Sequence, residues 1–155
     1  MTHAQTAADQ ELIISRVFDA PRELVYRAFT DPDQLARWFG PVGYSVPRDS
    51  IEIDARPGGR ERFVMVCDED PGRRITMDYT FSEVIENQLL VDFSEEGIPG
   101  TDEVVRMASR LEFHDVEGGK TRIELRAGPF TGDMTEVRVG WESSFTKLDA
   151  VLKAA

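Results

Sequence analysis

The sequence contains one cysteine and no long apolar run, and each shortage excludes a class of protein. With Cys67 as the only cysteine among 155 residues, no disulfide can form within the chain, which is typical of a reducing compartment. No stretch of 18 apolar residues is present, so we expect no membrane-spanning helix. The first residues, up to Glu11, are polar and lack the apolar core of a secretion signal. These features predict a cytoplasmic protein.

Positive charge is also scarce, since 18 basic residues stand against 29 acidic ones and the net charge is -11. So acidic a surface repels phosphate backbones and anionic lipid heads, which argues against nucleic-acid binding and against docking on a membrane surface, just as the missing apolar stretch argues against membrane insertion. The two histidines, His3 and His114, are too few for a zinc site, which needs three or four converging ligands. We therefore predict no metal and no cofactor, and we keep a homodimer open as an assembly.

The length and composition indicate a single folded core. Hydrophobic residues make up 41% and charged residues 30% of the chain, which are values of a globular domain. We expect residues 1–10 to form a disordered tail and residues 11–155 to form one domain.

The apolar pattern changes twice along the chain. An apolar stretch over residues 11–18 predicts a strand, after which Pro21 and Pro32 open two short helices, the second capped by Thr30 or Asp31. From about residue 49 to residue 127 apolar residues alternate with polar ones, and turn sequences interrupt the alternation at short intervals. From about Asp133 to Ala154 the spacing becomes helical again.

This order predicts an α+β protein with a helix-grip architecture. Short intervals between turns indicate an antiparallel meander with one dry face. The long C-terminal helix is the element large enough to cover that face, if the sheet curls around it. We therefore expect a curved antiparallel sheet of about six to seven strands, wrapped around the C-terminal helix, with two short helices after the first strand. A mostly apolar cleft is expected between sheet and helix.

Three segments near the start resemble one known family. They are SRVFDAP at residues 15–21, VYRAFTDP at residues 25–32 and LARWFGP at residues 35–41, and Gly58-Gly59 and Gly140-Trp141 also fit. The chain resembles the START-like (SRPBCC) superfamily, and within it the branch named after the activator of the heat-shock-protein ATPase. The resemblance covers about residues 11–154. It implies the helix-grip fold and an apolar cavity for a lipid-like, polyketide-like or other hydrophobic ligand.

Inward strand positions and the aromatic residues of the helices supply the expected binding site. We predict Trp38 near the mouth, the hydroxyls of Tyr79 and Ser109 as orienting groups, and flexible methionines in the wall. The complete predicted ligand-binding set is Trp38, Phe63, Met65, Met77, Tyr79, Phe81, Met107, Ser109, Trp141 and Phe145.

Two further expectations concern the phase of the strands. In the strand after residue 88, we expect Leu89, Val91 and Phe93 to be the residues that face the apolar side of the sheet. Glu61 heads a strand whose inward phase continues with Phe63, and we place Glu61 at the rim of the sheet. An inward Glu61 would need a base such as Arg16 beside it, because an unpaired buried charge is costly.

Three functions follow as hypotheses. The first is binding of a hydrophobic small molecule in the cavity, without catalysis. The second is a cyclase or lyase acting on a polyketide-like ligand, for which Glu61, Tyr79 and His114 are the candidate acids and bases. The third is an interaction module that modulates a chaperone ATPase through its exterior. No catalytic residue is assigned from the sequence.

Overall fold

The computed structural model describes residues 10–97, 99–130 and 133–154, and it has the expected order of elements. The tail predicted for residues 1–10 lies outside the described residues except for Gln10, where the first strand begins. The elements are β1 (Gln10–Phe18), α1 (Arg22–Thr30), α2 (Pro32–Trp38), β2 (Tyr44–Ser45), a 3-10 turn (Arg48–Ser50), β3 (Glu52–Ile53), β4 (Arg60–Cys67), β5 (Arg74–Ile85), β6 (Leu89–Gly97), β7 (Val104–Val116), β8 (Lys120–Phe130) and α3 (Thr135–Ala154).

One residue, Asp31, both ends α1 and begins α2. Its backbone N–H donates to the carbonyl of Arg27 at 2.8 Å, and its carboxylate accepts from the N–H of Asp33 at the same distance. Pro32 occupies the first turn of α2, where a missing N–H costs nothing. The chain therefore changes direction at Asp31 without a loop, as the sequence pattern predicts.

All strand pairs of the eight-stranded sheet are antiparallel, in the order β1-β8-β7-β6-β5-β4-β2, and β3 also pairs with β4. Six strands are long, and β2 and β3 have two residues each. The alternation around residues 50–55 yields only the short β3, because a 3-10 turn ends at Ser50 and a tight turn follows Ile53. In that turn the N–H of Arg56 donates to the carbonyl of Asp54 at 2.9 Å.

The C-terminal half of α3 packs on the short helices and on β1. Phe145 and Leu148 are fully buried, and the Phe145 ring centroid lies 5.5 Å from that of Phe18 and 6.3 Å from that of Trp38. The Lys147 ammonium donates to the carbonyls of Gly40 and Tyr44 at 3.0 and 3.1 Å. These contacts attach α3 to the segment between α2 and β2, and so fix its position over the sheet.

The part of the chain that the structure describes contains no helix with both the length and the apolar character needed to cross a bilayer.

Two glycines give a test of this packing. A Cβ on the buried Gly59 would lie 1.9 Å from the Asp54 carbonyl oxygen, so the backbone of the turn must move to admit it. We expect Gly59→Ala to lower the free energy of unfolding by about 2–3 kcal/mol. Urea denaturation followed by circular dichroism measures this change.

Gly140 in α3 is the matched control, because an added Cβ there has no neighbour within 4 Å outside its own helix. Gly140→Ala should raise the free energy of unfolding by roughly 0.5–1 kcal/mol, since alanine restricts the unfolded chain and favours the helix. Equal stabilities of the two variants would contradict the observed turn at Gly59.

Candidate functional site

A cavity of about 130 Å³ lies between the concave face of the sheet and the helices. Phe39 and Trp141 contribute to its wall from the helix side, and Phe63, Met77 and Met107 from the sheet. A cavity of about 150 Å³ in another protein holds benzene, so this one has room for about one aromatic ring. It forms below the N-terminal half of α3, where Trp141 is only half-buried, whereas the C-terminal half of the helix packs tightly.

Most of the predicted ligand-binding residues line this cavity. The residues of the predicted set on its wall are Phe63, Met77, Tyr79, Phe81, Met107, Ser109 and Trp141. They come from β4, β5, β7 and α3, and their convergence follows from the inward phase of each strand.

Trp38, Met65 and Phe145 lie outside the cavity wall. Trp38 is fully buried, its indole N–H donates to the Ala28 carbonyl at 2.9 Å, and its ring packs on Phe29. Phe145 is fully buried between the helices and β1, and Met65 is half-buried next to the backbone of Gly40. The structure therefore gives Trp38 a place in the core and not at the mouth of the cavity.

Two carboxyl groups, those of Glu61 and Asp92, belong to the cavity wall. Glu61 pairs with Tyr79 across β4 and β5, and Asp92 pairs with Phe81 on one side and with Ser109 on the other. Strands β4 and β6 are separated by β5, so their backbones are roughly 10 Å apart. The two side chains span this gap because inward side chains of a concave sheet converge.

Hydrogen bonds join these polar groups into one cluster. The carboxyl groups of Glu61 and Asp92 are hydrogen-bonded to each other. The Ser109 hydroxyl donates to a carboxylate oxygen of Asp92 at 2.5 Å. A hydrogen bond between two carboxyl groups requires a proton between them, so at least one of the pair is a neutral acid.

Burial sets the protonation of the pair. Removal from water raises the pKa of Glu61 well above its ordinary value, and the neighbouring charge and hydrogen bond of Asp92 raise it further. Burial also raises the pKa of Asp92, but the hydrogen bonds from Glu61 and Ser109 act in the opposite direction. The pKa of Glu61 is raised further than that of Asp92, and the pair keeps a shared proton at a pH where a solvated carboxyl group has lost its own.

The predicted position of Glu61 is corrected, and Arg16 is not its partner. Glu61 lies on the cavity wall and not at the rim of the sheet, and its partner is an acid. Arg16 instead forms an ion pair with Asp149 of α3, and its guanidinium lies 5.3 Å from the ring centroid of Phe18. We expected an inward Glu61 to need a base beside it. Instead, a proton shared with Asp92 reduces the charge of the two carboxyl groups.

Asp92 was missed because the phase of β6 differs from the predicted one. A register shift between Phe81 and Glu83 in β5 changes which residues of β6 face inward, and Leu90 and Asp92 line the cavity. The ring of Phe93 lies on the other side, under the guanidinium of Arg106 at 3.8 Å from its centroid. The sequence is also compatible with the opposite assignment of the strand, in which Leu90 and Asp92 face inward, and this assignment would have revealed an acid on the cavity side.

The other candidate groups lie away from the cavity. His114 lies outside the cavity wall and hydrogen-bonds to Glu112 at 2.9 Å, and Cys67 is a half-buried free thiol on β4. In the described ranges, no three histidine, cysteine or acidic side chains are grouped so that they could hold a metal ion.

Comparison with known proteins identifies the family. The family model described as "Activator of Hsp90 ATPase homolog 1-like protein" matches residues 19–153. The chain belongs to this family. No curated protein matches the sequence.

Several solved structures have the same fold as this chain. A protein from Nitrosomonas europaea is 26% identical with a TM-score of 0.76, and the match covers 95% of this chain and 96% of that one. The AHSA1 protein from Silicibacter pomeroyi is 25% identical with a TM-score of 0.75, over 94% and 99% of the chains. A protein from Chromobacterium violaceum is 23% identical with a TM-score of 0.77, over 92% and 96%.

These findings confirm the predicted helix-grip fold and the START-like resemblance. Folds of this kind commonly bind hydrophobic ligands.

The carboxyl pair makes stability depend on pH in a predictable direction. The folded chain keeps the Glu61 proton where the unfolded chain has released it, because the pKa of Glu61 is raised from its ordinary value of 4.5. The free energy of unfolding therefore falls as the pH rises from that value up to the raised pKa of the folded state. The limiting slope is about 1.4 kcal/mol per pH unit for each retained proton.

Glu61→Gln should remove this slope, so its free energy of unfolding relative to the native chain rises as the pH increases above 4.5, the ordinary pKa of the carboxyl group. Asp78→Asn is the control, because the hydrogen bond from Arg60 lowers the pKa of Asp78 and that contribution is lost only in acid. Denaturant titrations at several pH values measure both. If the free energies of unfolding of Glu61→Gln and of the native chain changed in parallel with pH, Glu61 would hold no extra proton in the folded chain.

Proposed function

We propose that this protein binds a small hydrophobic molecule with one polar group in the cavity between the sheet and α3. The observation that carries the proposal is the composition of the wall: the described residues that line it are apolar except for one polar cluster of Glu61, Tyr79, Asp92 and Ser109. A mostly apolar pocket with a few convergent polar groups is the usual form of a small-ligand site.

The apolar wall supplies the affinity in this proposal. Each Å² of apolar ligand surface removed from water contributes roughly 25 cal/mol. The aromatic side chains of Phe39, Phe63 and Trp141 offer flat surfaces for a ring, and Phe39 lies in edge contact with both of the others at 4.8 and 5.6 Å between centroids. Met77 and Met107 are half-buried and flexible, so they can move to admit a ring system larger than one ring.

The polar cluster supplies the orientation. The hydroxyls of Tyr79 and Ser109 and the acid group of Glu61 lie on the sheet side, whereas the helix side contributes Leu35, Phe39 and Trp141. A ligand is therefore expected to direct its polar end toward the sheet and its apolar end toward α3. A lipid-like or polyketide-like molecule would place in the cavity a segment about the size of one ring that carries one polar substituent.

Filling the cavity tests the proposal. Met107→Trp places an indole where the ligand ring would lie, so its affinity for benzyl alcohol should fall by roughly tenfold or more, equivalent to about 1.4 kcal/mol. Titration of isotopically labelled protein with benzyl alcohol, followed by amide chemical shifts, measures the affinity and locates the site. In the native chain the saturable shifts should map to β4–β8.

Met65→Trp is the matched control, because Met65 is a half-buried methionine of β4 outside the cavity wall. It should leave the affinity for benzyl alcohol within about twofold of the native value. Unfolding curves verify that both variants are folded. Equal affinities of the two variants, or shifts confined to another face, would refute binding in this cavity.

A second candidate function is acid–base catalysis on the bound molecule, as in a cyclase or lyase acting on a polyketide-like ligand. The observation that favours it is the pair of Glu61 and Asp92 in one cavity, whose raised pKa values let the two carboxyl groups share one proton. The Asp92 carboxylate would take a proton from the carbon next to a ligand carbonyl. The Glu61 acid would give its proton to the oxygen of the resulting enolate, which balances charge and protons.

Hydrogen–deuterium exchange tests this second function. The native protein in D2O should speed incorporation of deuterium next to the carbonyl of phenylacetone, as measured by proton NMR. Glu61→Gln should reduce the rate by about 10²-fold or more, because an amide cannot supply the proton. The Met65→Trp variant should retain the native rate. No acceleration by the native protein would leave binding as the function and exclude this chemistry for small ketones.

The third hypothesis, modulation of a chaperone ATPase, concerns the exterior of the domain, and the cavity gives no argument for it. It stays a prediction from the family resemblance.

A further inference from the structure

The cavity contains negative charge without a positive partner. Among the described residues that line it there is no lysine, arginine or histidine. Two bases at the interface of α3 are engaged elsewhere: Arg16 of β1 pairs with the carboxylate of Asp149, and Lys147 of α3 donates to the carbonyls of Gly40 and Tyr44. The polar cluster thus contains two acids and two hydroxyl residues.

From this charge distribution we propose that the ligand is a hydrophobic amine whose ammonium group binds at Glu61 and Asp92, an inference that rests on the proposed binding function. A buried carboxylate is costly unless it is paired, and the hydrogen bonds from Glu61 and Ser109 offset only part of that cost. A ligand cation supplies the missing counter-charge. Its N–H groups donate to the oxygens of Asp92 in charge-assisted hydrogen bonds.

The aromatic wall supports the same ligand class independently. Phe39, Phe63, Phe81 and Trp141 line the cavity together with the acids. The faces of aromatic rings attract cations, most strongly where water is excluded, and tryptophan is the best of them. An ammonium group attached to a ring would therefore meet carboxyl oxygens on the sheet side and aromatic faces around it.

The same features select against anions. A fatty acid or a phosphate ester would bring a second negative charge into a cavity that has no base on its described wall, and its approach is opposed by the net charge of -11. The expected order of affinity is therefore amine, then neutral alcohol, then carboxylate, for ligands of equal size.

Three probes of one size test this order: benzylamine, benzyl alcohol and benzoate, each titrated at neutral pH by calorimetry and by amide chemical shifts. Benzylamine should bind at least about tenfold more tightly than benzyl alcohol, because hydrogen bonds to charged groups are stronger than neutral ones. Benzoate should bind more weakly than both.

Variants identify the group responsible. Asp92→Asn removes the charge and keeps the shape, so the ratio of benzylamine affinity to benzyl alcohol affinity should fall by about tenfold. Asp78→Asn, which removes an exposed acid of β5 paired with Arg60, should leave this ratio at the native value. If Asp92→Asn does not fold, the native chain provides a second measurement. Burial raises the pKa of Asp92, so acidifying the solution removes its charge, and the ratio of benzylamine affinity to benzyl alcohol affinity should fall as the pH is lowered. A ratio that stays constant into acid would overturn the proposal.

The outcomes separate this inference from the function on which it rests. Binding of benzyl alcohol as tightly as benzylamine, or tighter binding of benzoate, would overturn the amine and leave the hydrophobic cavity as a binding site. A native ratio in Asp92→Asn would also overturn it. Failure of all three probes to bind would overturn both the amine and the proposed binding function for ring-sized ligands.

Discussion

The contact of Phe145 with Phe18 and Trp38 determines where α3 lies, and the rest of the interior depends on that position. Because this end of the helix is fully packed, the helix cannot sink further toward the sheet at its other end. Trp141 and Val137 therefore remain half-buried above the strands, and the space beneath Trp141 becomes the cavity. Tight packing at one end of a rigid helix thus leaves open volume at the other.

The second constraint is the burial of two acids in this volume. Neither Glu61 nor Asp92 has a base beside it on the described wall, so the pair reduces its charge by sharing a proton. This solution satisfies their hydrogen bonds but leaves a residual negative charge in an apolar space. The arrangement lowers the free energy of unfolding at higher pH. Ionisable side chains with shifted pKa values inside a cavity are common at functional sites.

Binding and acid–base catalysis use the same wall in different ways. Binding requires the aromatic and methionine side chains and a hydrogen bond to the polar end of the ligand. Catalysis additionally requires that the acid of Glu61 and the carboxylate of Asp92 reach different atoms of one ligand. An amine that occupies Asp92 would block the base, so a tightly bound amine and a reacting ketone would compete for the same two residues.

The local pattern of the chain was sufficient for the architecture and for much of the wall. Pro32 and Asp31 mark the start of α2, and alternation of apolar residues places Met77, Tyr79 and Phe81 on one face of β5. These features depend on neighbours within a few residues, so the sequence alone determines them.

The inward position of Asp92 and the environment of Glu61 depend on tertiary structure. A register shift in β5 reverses the expected phase of β6, and sheet curvature joins two side chains from strands that are not adjacent. The predicted position of Trp38 at the cavity mouth is wrong for a similar reason. The sequence of α2 indicates that Trp38 lies on the apolar face of the helix. Only its packing against Phe29 and Phe145 in the folded chain places that face in the core and away from the cavity.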